Sequence, residues 1–219
     1  MAIQIHINLL PISSSRNRTT LRIEKQKNLR AAGVQVNAAL GGAKRLIESG
    51  AVRAIQPKDA AMAINSEGFK LLDVRPEWET AKARVIGSLH APLFIKDADG
   101  GPITLLKRWV HFGYIGLWTG QQFTTVNPLF LPQVETAVPD RDALLLVACG
   151  DGLRSMMAAS KLHEAGYKNL GWLAGGFSRA RDGDFHVEGT EKLQYATIGG
   201  ASYYFLKLLL LLQGEGNAN

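Results

Sequence analysis

The stretch Ala143-Leu144-Leu145-Leu146-Val147-Ala148-Cys149-Gly150-Asp151-Gly152-Leu153-Arg154 decides the fold. Its first six residues are apolar without a polar face and read as a buried strand. Gly150 and Gly152 end the run. A helix is predicted from about Leu153 to Ala165, with Met156, Ala159 and Leu162 close to one face and Gly166 as its stop. Asn169 to Leu173 is another short strand, punctuated by Gly175-Gly176. Strand, loop, helix, glycine, strand is a βαβ unit, and it implies an α/β domain with a small parallel sheet and helices on both faces.

Upstream, Lys70-Leu71-Leu72-Asp73-Val74 has the same buried-strand character with a polar residue near its end. Pro57, Lys58 and Asp59 open a helix through about Ile64, closed by Gly68, and Ala43 to Glu48 is a shorter helical pattern. At 219 residues, with 46% hydrophobic and 20% charged residues, the chain holds one ordinary globular domain plus some extra sequence.

The net charge of +6 is local. Arg16, Arg18, Arg22, Lys25, Lys27 and Arg30 stand against Glu24 alone before residue 37, so five of the six charges lie there. The remainder is nearly neutral, which argues against a nucleic-acid partner. A leader rich in Arg and Ser and poor in acids reads as an organelle transit peptide over residues 1–36, the alternative being a basic tail with no addressing role.

Cys149 is the one cysteine, which excludes internal disulfides and a Cys-rich zinc site. The five histidines show no metal-ligand spacing, so neither a metal nor another cofactor is expected. Cys149 stands at the carboxyl end of a buried strand and just before a helix, where α/β folds place their ligands. A loop with two glycines lets successive amides turn inward and favours an anion at the helix N-terminus. Such a cysteine is expected to be a partly exposed thiolate of lowered pKa, with Arg154 adding positive charge. The competing reading is an inert buried thiol.

Cys149-x-x-Gly152-x-Arg154 resembles the active-site loop of the rhodanese superfamily, and Leu71-Leu72-Asp73-Val74-Arg75 with Glu79 resembles that family's second marker. The likeness extends to Gly87-Ser88 and to Gly166-Tyr167 with Gly175-Gly176, spanning about Pro57 to Arg179. It implies a single rhodanese-like domain over 43–190 and sulfur transfer through a Cys149 persulfide. The donor would be thiosulfate, mercaptopyruvate or a persulfide, and the acceptor a thiol, including a protein thiol, or cyanide. Gly150, Asp151, Gly152, Leu153 and Arg154 would bind the substrate. Asp73 and Arg75 would support the loop by hydrogen bonds and an ion pair with Glu79. Related phosphatases use one residue more between cysteine and arginine, so phosphate or arsenate chemistry is disfavoured. Arg84, Ile86, Thr80 and Ala180 depart from the usual histidine, proline, aromatic and tryptophan, and Asp151 puts a negative charge in a loop made for anions.

Residues 97–132 carry Trp109, Phe112, Tyr114, Trp118, Phe123 and Phe130 between glycines and match no regular element. This aromatic insert would cap the site, meet a membrane or partner, or form a side layer of core. Residues 198–213 are an apolar C-terminal helix interrupted by Lys207. Three readings stand for its core, residues 201–212: packing on the domain, peripheral membrane contact, or a marginal span. Rhodanese-like proteins of plant chloroplasts resemble the chain in both features, which implies a stromal or thylakoid-associated protein. Beside the enzyme stands a second class of function, an idle rhodanese-like module that tethers partners at a plastid membrane.

Overall fold

The expected βαβ unit is present, and β7 (Leu145–Ala148), the strand that leads into Cys149, sits at the middle of the sheet. The computed structural model describes residues 41–97, 101, 109 and 122–215, with side chains in the last helix described as far as 209. The chain divides into Met1–Ala38 and Ala39–Asn219, and every described residue lies in the second unit. The leader expected over 1–36 and most of the aromatic insert are therefore outside the described residues.

Among the described residues the first helix, α1, covers 41–48. The chain then runs through β1 (Val52–Ile55), α2 (Pro57–Asn65), β2 (Lys70–Asp73) and the single turn α3 (Glu77–Thr80). Short strands β3 (Ala83–Val85), β4 (Leu89–His90), β5 (Phe94–Lys96) and β6 (Thr124–Val126) precede α4 (Phe130–Ala137). After β7 come α5 (Leu153–Glu164), β8 (Leu170–Leu173), β9 (Val187–Gly189) and α6 (Gly200–Glu215). Five strands make the central sheet in the order β1-β8-β7-β2-β4, every neighbouring pair parallel.

Position in the sheet explains the apolar run. With β8 on one side and β2 on the other, all four β7 residues are buried, and their alternating side chains feed two separate cores. Leu145 and Val147 join Leu72, Phe130, Val134, Ala158, Ala159 and Leu162, so α4 and α5 cover that face. Leu146 and Ala148 join Leu71, Ala60, Ala63 and Phe177, so α2 covers the other. Helices on both faces follow directly from the period of two.

Three expectations are corrected in detail. The buried residues of α5 are Ser155, Ala158, Ala159, Ser160 and Leu162, and Met156 is half-buried. The end of the insert is regular: β6 pairs antiparallel with β5, and Asn127 fixes the turn into α4 by donating to Pro92 O (2.8 Å) and accepting from Leu129 N (3.0 Å). The C-terminal helix begins at Gly200, two residues later than expected, because Ile198 belongs to the preceding turn and its carbonyl accepts from Lys82 Nζ at 2.7 Å. Among the described residues no helix is long and apolar enough to cross a membrane.

Candidate active site

Cys149 follows β7 directly, and Gly152 caps α5, so the thiol faces the first turn of a helix. The first amides of a helix have no partner within it. Here two of them, from Gly152 (3.1 Å) and Ser155 (3.2 Å), point at Cys149 Sγ. Ser155 Oγ lies 3.3 Å from the sulfur and itself donates to Gly152 O at 3.0 Å.

The loop backbone is held from beneath. Phe177 N donates to Cys149 O at 2.8 Å, while Ser178 donates to Gly150 O through both its amide (2.7 Å) and its hydroxyl (2.8 Å). Trp172 Nε1 donates to Gly152 O at 2.8 Å. This close support requires glycine at 176. Its φ is +66°, and a Cβ there would stand 2.5 Å from the carbonyl oxygens of Cys149 and Gly150. On the opposite side Thr197 presses on Gly150, where a Cβ would meet Thr197 Oγ1 at 2.1 Å.

Charge around the loop is arranged in two pairs. Arg154 binds Glu79 through both terminal guanidinium nitrogens, at 2.6 and 2.8 Å, and Thr197 Oγ1 donates to the same carboxylate at 2.9 Å. Burial works against the Arg154 charge, but the hydrogen bonds and charge of Glu79 outweigh it and hold its pKa above the usual value. Asp73 and Arg75 form the second pair, fully buried at 2.6 Å, with the Asp73 carboxylate also accepting from Arg75 N. Arg75 donates on to Ala83 O at 2.8 Å and lies 4.6 Å from the centre of the Phe177 ring, beneath the segment that supports the loop. The expected Arg75–Glu79 pair is thus replaced by Asp73–Arg75 and Glu79–Arg154. The reason is reach: Arg75 stands two residues beyond Asp73, the last residue of β2, and pairs with it locally.

The expected exposed thiolate is also corrected. Cys149 is 0% exposed, and burial pushes its thiol pKa up. The Ser155 hydroxyl, the Arg154 charge and the Ser155 amide pull the other way, and Asp151 reinforces burial. Nor is the loop an empty anion seat. Asp151 Oδ1 accepts from Leu153 N at 3.3 Å and lies 3.7 Å from Sγ, so the protein's own carboxylate takes a helix amide.

Of the five expected substrate-binding residues, Gly150 and Gly152 are buried in the loop floor. Asp151, Leu153 and Arg154 line a cleft of about 740 Å³. Trp78, Phe94, Phe123 and Ile198 form its apolar walls, and Thr197 and Ser202 stand at the base of α6. Ser155 was legible in principle, since a residue in the first helical turn after Cys149 presents its amide to the loop. Thr197 and Trp172 had no local signal. The first comes from a turn near the end of the domain, the second from the neighbouring strand β8.

Comparison with known proteins shows the family. The rhodanese-like domain family matches residues 56–181. Rhodanese-like domain-containing protein 10 of Arabidopsis thaliana is 56% identical over 212 residues, 96% of this chain and 94% of that protein. Two further Arabidopsis thaliana proteins are named chloroplastic. Rhodanese-like domain-containing protein 11 is 41% identical, over 73% of this chain and 54% of that protein, and protein 9 is 34% identical, over 85% and 76%. The chain belongs to the rhodanese-like domain family.

Proposed function

We propose that this protein is a sulfurtransferase that carries a sulfane sulfur as a Cys149 persulfide. The observation that carries the reading is the sulfur of Cys149, held by the Gly152 and Ser155 amides at the junction of β7 and α5. In the resting state the buried thiol keeps its proton. Asp151 Oδ1, 3.7 Å away, is the carboxylate placed to receive it as a donor enters. The thiolate then attacks the outer sulfur of the donor. The bond holding that sulfur to the donor breaks, its electron pair leaves with the first product, and the Cys149 persulfide remains. A thiolate or cyanide attacks the outer sulfur in turn, and the Cys149 thiolate is released. The two amides stabilise the negative charge that Sγ carries when it attacks the donor and again when it is released from the persulfide.

The test is to incubate the protein with thiosulfate, mercaptopyruvate and a low-molecular-weight persulfide and to weigh it intact. One added sulfur atom, absent in Cys149→Ser, is the expected result. Failure of every donor to add sulfur overturns the reading. The sealed thiol, at 0% exposure, favours a second one: an idle module that tethers partners, with exposed Tyr204, Phe205 and Leu208 on α6 as the contact surface. A plastid location, stromal or at the thylakoid surface, is supported by relatives named chloroplastic, rhodanese-like domain-containing proteins 11 and 9 among them, and by the basic leader.

A further inference from the structure

We propose, resting on the sulfur-transfer reading of Cys149, that the cleft above the loop selects organic persulfides and thiols with an uncharged, apolar body and rejects small anionic sulfur donors. Three observations carry it. Asp151 already occupies the helix N-terminus: its Oδ1 takes the Leu153 amide and stands 3.7 Å from Sγ. An anionic donor reaching the sulfur must displace that carboxylate or lie beside it, and like charges this close repel strongly in a partly buried site.

The second observation is that Arg154 offers little to an anion. Both of its outer nitrogens are bound to Glu79, and Thr197 Oγ1 donates to the Glu79 oxygen that also takes Arg154 Nη2. Among the described residues, two carboxylates and one guanidinium line the cleft, a net charge of −1. The third is shape. Trp78, Phe94, Phe123, Ile198, Pro76 and the exposed Leu153 supply apolar walls around about 740 Å³. That volume suits an organic molecule of many heavy atoms, well beyond the size of an inorganic sulfur anion.

The chemistry balances without a further reactant. The Cys149 thiolate attacks the terminal sulfur of R–S–SH, the donor's S–S bond breaks, and RS⁻ departs and takes up a proton. The R group stays in the apolar cleft until release.

The experiment uses the full chain and three probes: benzyl persulfide, thioglycolate persulfide and thiosulfate. Loading of Cys149 is followed by intact mass, and each rate is divided by that donor's rate with free 2-mercaptoethanol, which removes intrinsic reactivity. The expected normalised rate is at least about tenfold higher for benzyl persulfide than for either anion. Asp151→Asn, which removes the charge and keeps a group able to accept from Leu153 N, should raise both anionic rates about fivefold or more relative to benzyl persulfide. Trp78→Ala should slow benzyl persulfide about threefold or more and leave the anions within a factor of two. Equal normalised rates for the three donors in the unaltered protein, or an unchanged ratio in folded Asp151→Asn, overturn the selectivity while sulfur transfer stands. Loading by none of the three overturns the sulfur-transfer reading and the selectivity together.

Discussion

At the scale of single residues, Cys149 shows how two true local arguments combine to a result neither predicts. Helix amides and a neighbouring arginine favour the thiolate, and both are present. Complete burial costs the charged form more, because no water reaches the sulfur. The alkylation midpoint of the resting protein is therefore expected above the free-thiol value of about 8.5. The linkage has a definite sign. A group whose pKa is raised on folding contributes stability below its unfolded pKa, and that contribution is lost as pH rises through the folded pKa. From about pH 8.5 upward the unaltered protein should lose stability that Cys149→Ser retains, which denaturant midpoints measured on both proteins will show. A midpoint for alkylation below the free thiol would mean that the loop opens in solution.

Among the elements, β7 and α5 were legible and α6 was legible only as a helix. The bounds of β7 follow from burial on both faces, and the stop at Gly166, whose φ is +94°, agrees with the glycine expected there. The docking of α6 depends on contacts at its first turn and just before it. Lys82 reaches Ile198 O and lies 5.6 Å from the Tyr203 ring centre, and Tyr203 hydrogen-bonds Glu191. Tyr204, Phe205 and Leu208 are left outward, with Lys207 5.8 Å from the Tyr203 ring centre. Sixteen residues of helix rise about 24 Å, short of about 30 Å of hydrocarbon. The expected behaviour is peripheral: high salt or alkaline carbonate releases the protein from native membranes. Retention until detergent is added would contradict this.

For the whole molecule, charge and fold divide the labour. Five of the six net positive charges lie before residue 37, while the domain carries the sheet and the candidate site. The leader is expected to act as a plastid address on its own. A fusion of residues 1–38 to a fluorescent reporter should accumulate in plastids, and a cytosolic or mitochondrial signal would refute the assignment.

By itself the sequence determined the family, the parallel α/β core and the place of Cys149 at a strand end. These rest on short-range patterns, namely apolar runs, glycine stops and a six-residue loop, and such patterns survive in one dimension. Only the tertiary structure decided the state of the thiol and the partners of the charges. Glu79 meets Arg154 across 75 positions, and Thr197 meets Glu79 across 118. Trp172 reaches the loop from β8, and Asp151 folds back over its own turn. Burial and electrostatic pairing depend on what surrounds a group in space, and no local spacing encodes those neighbours.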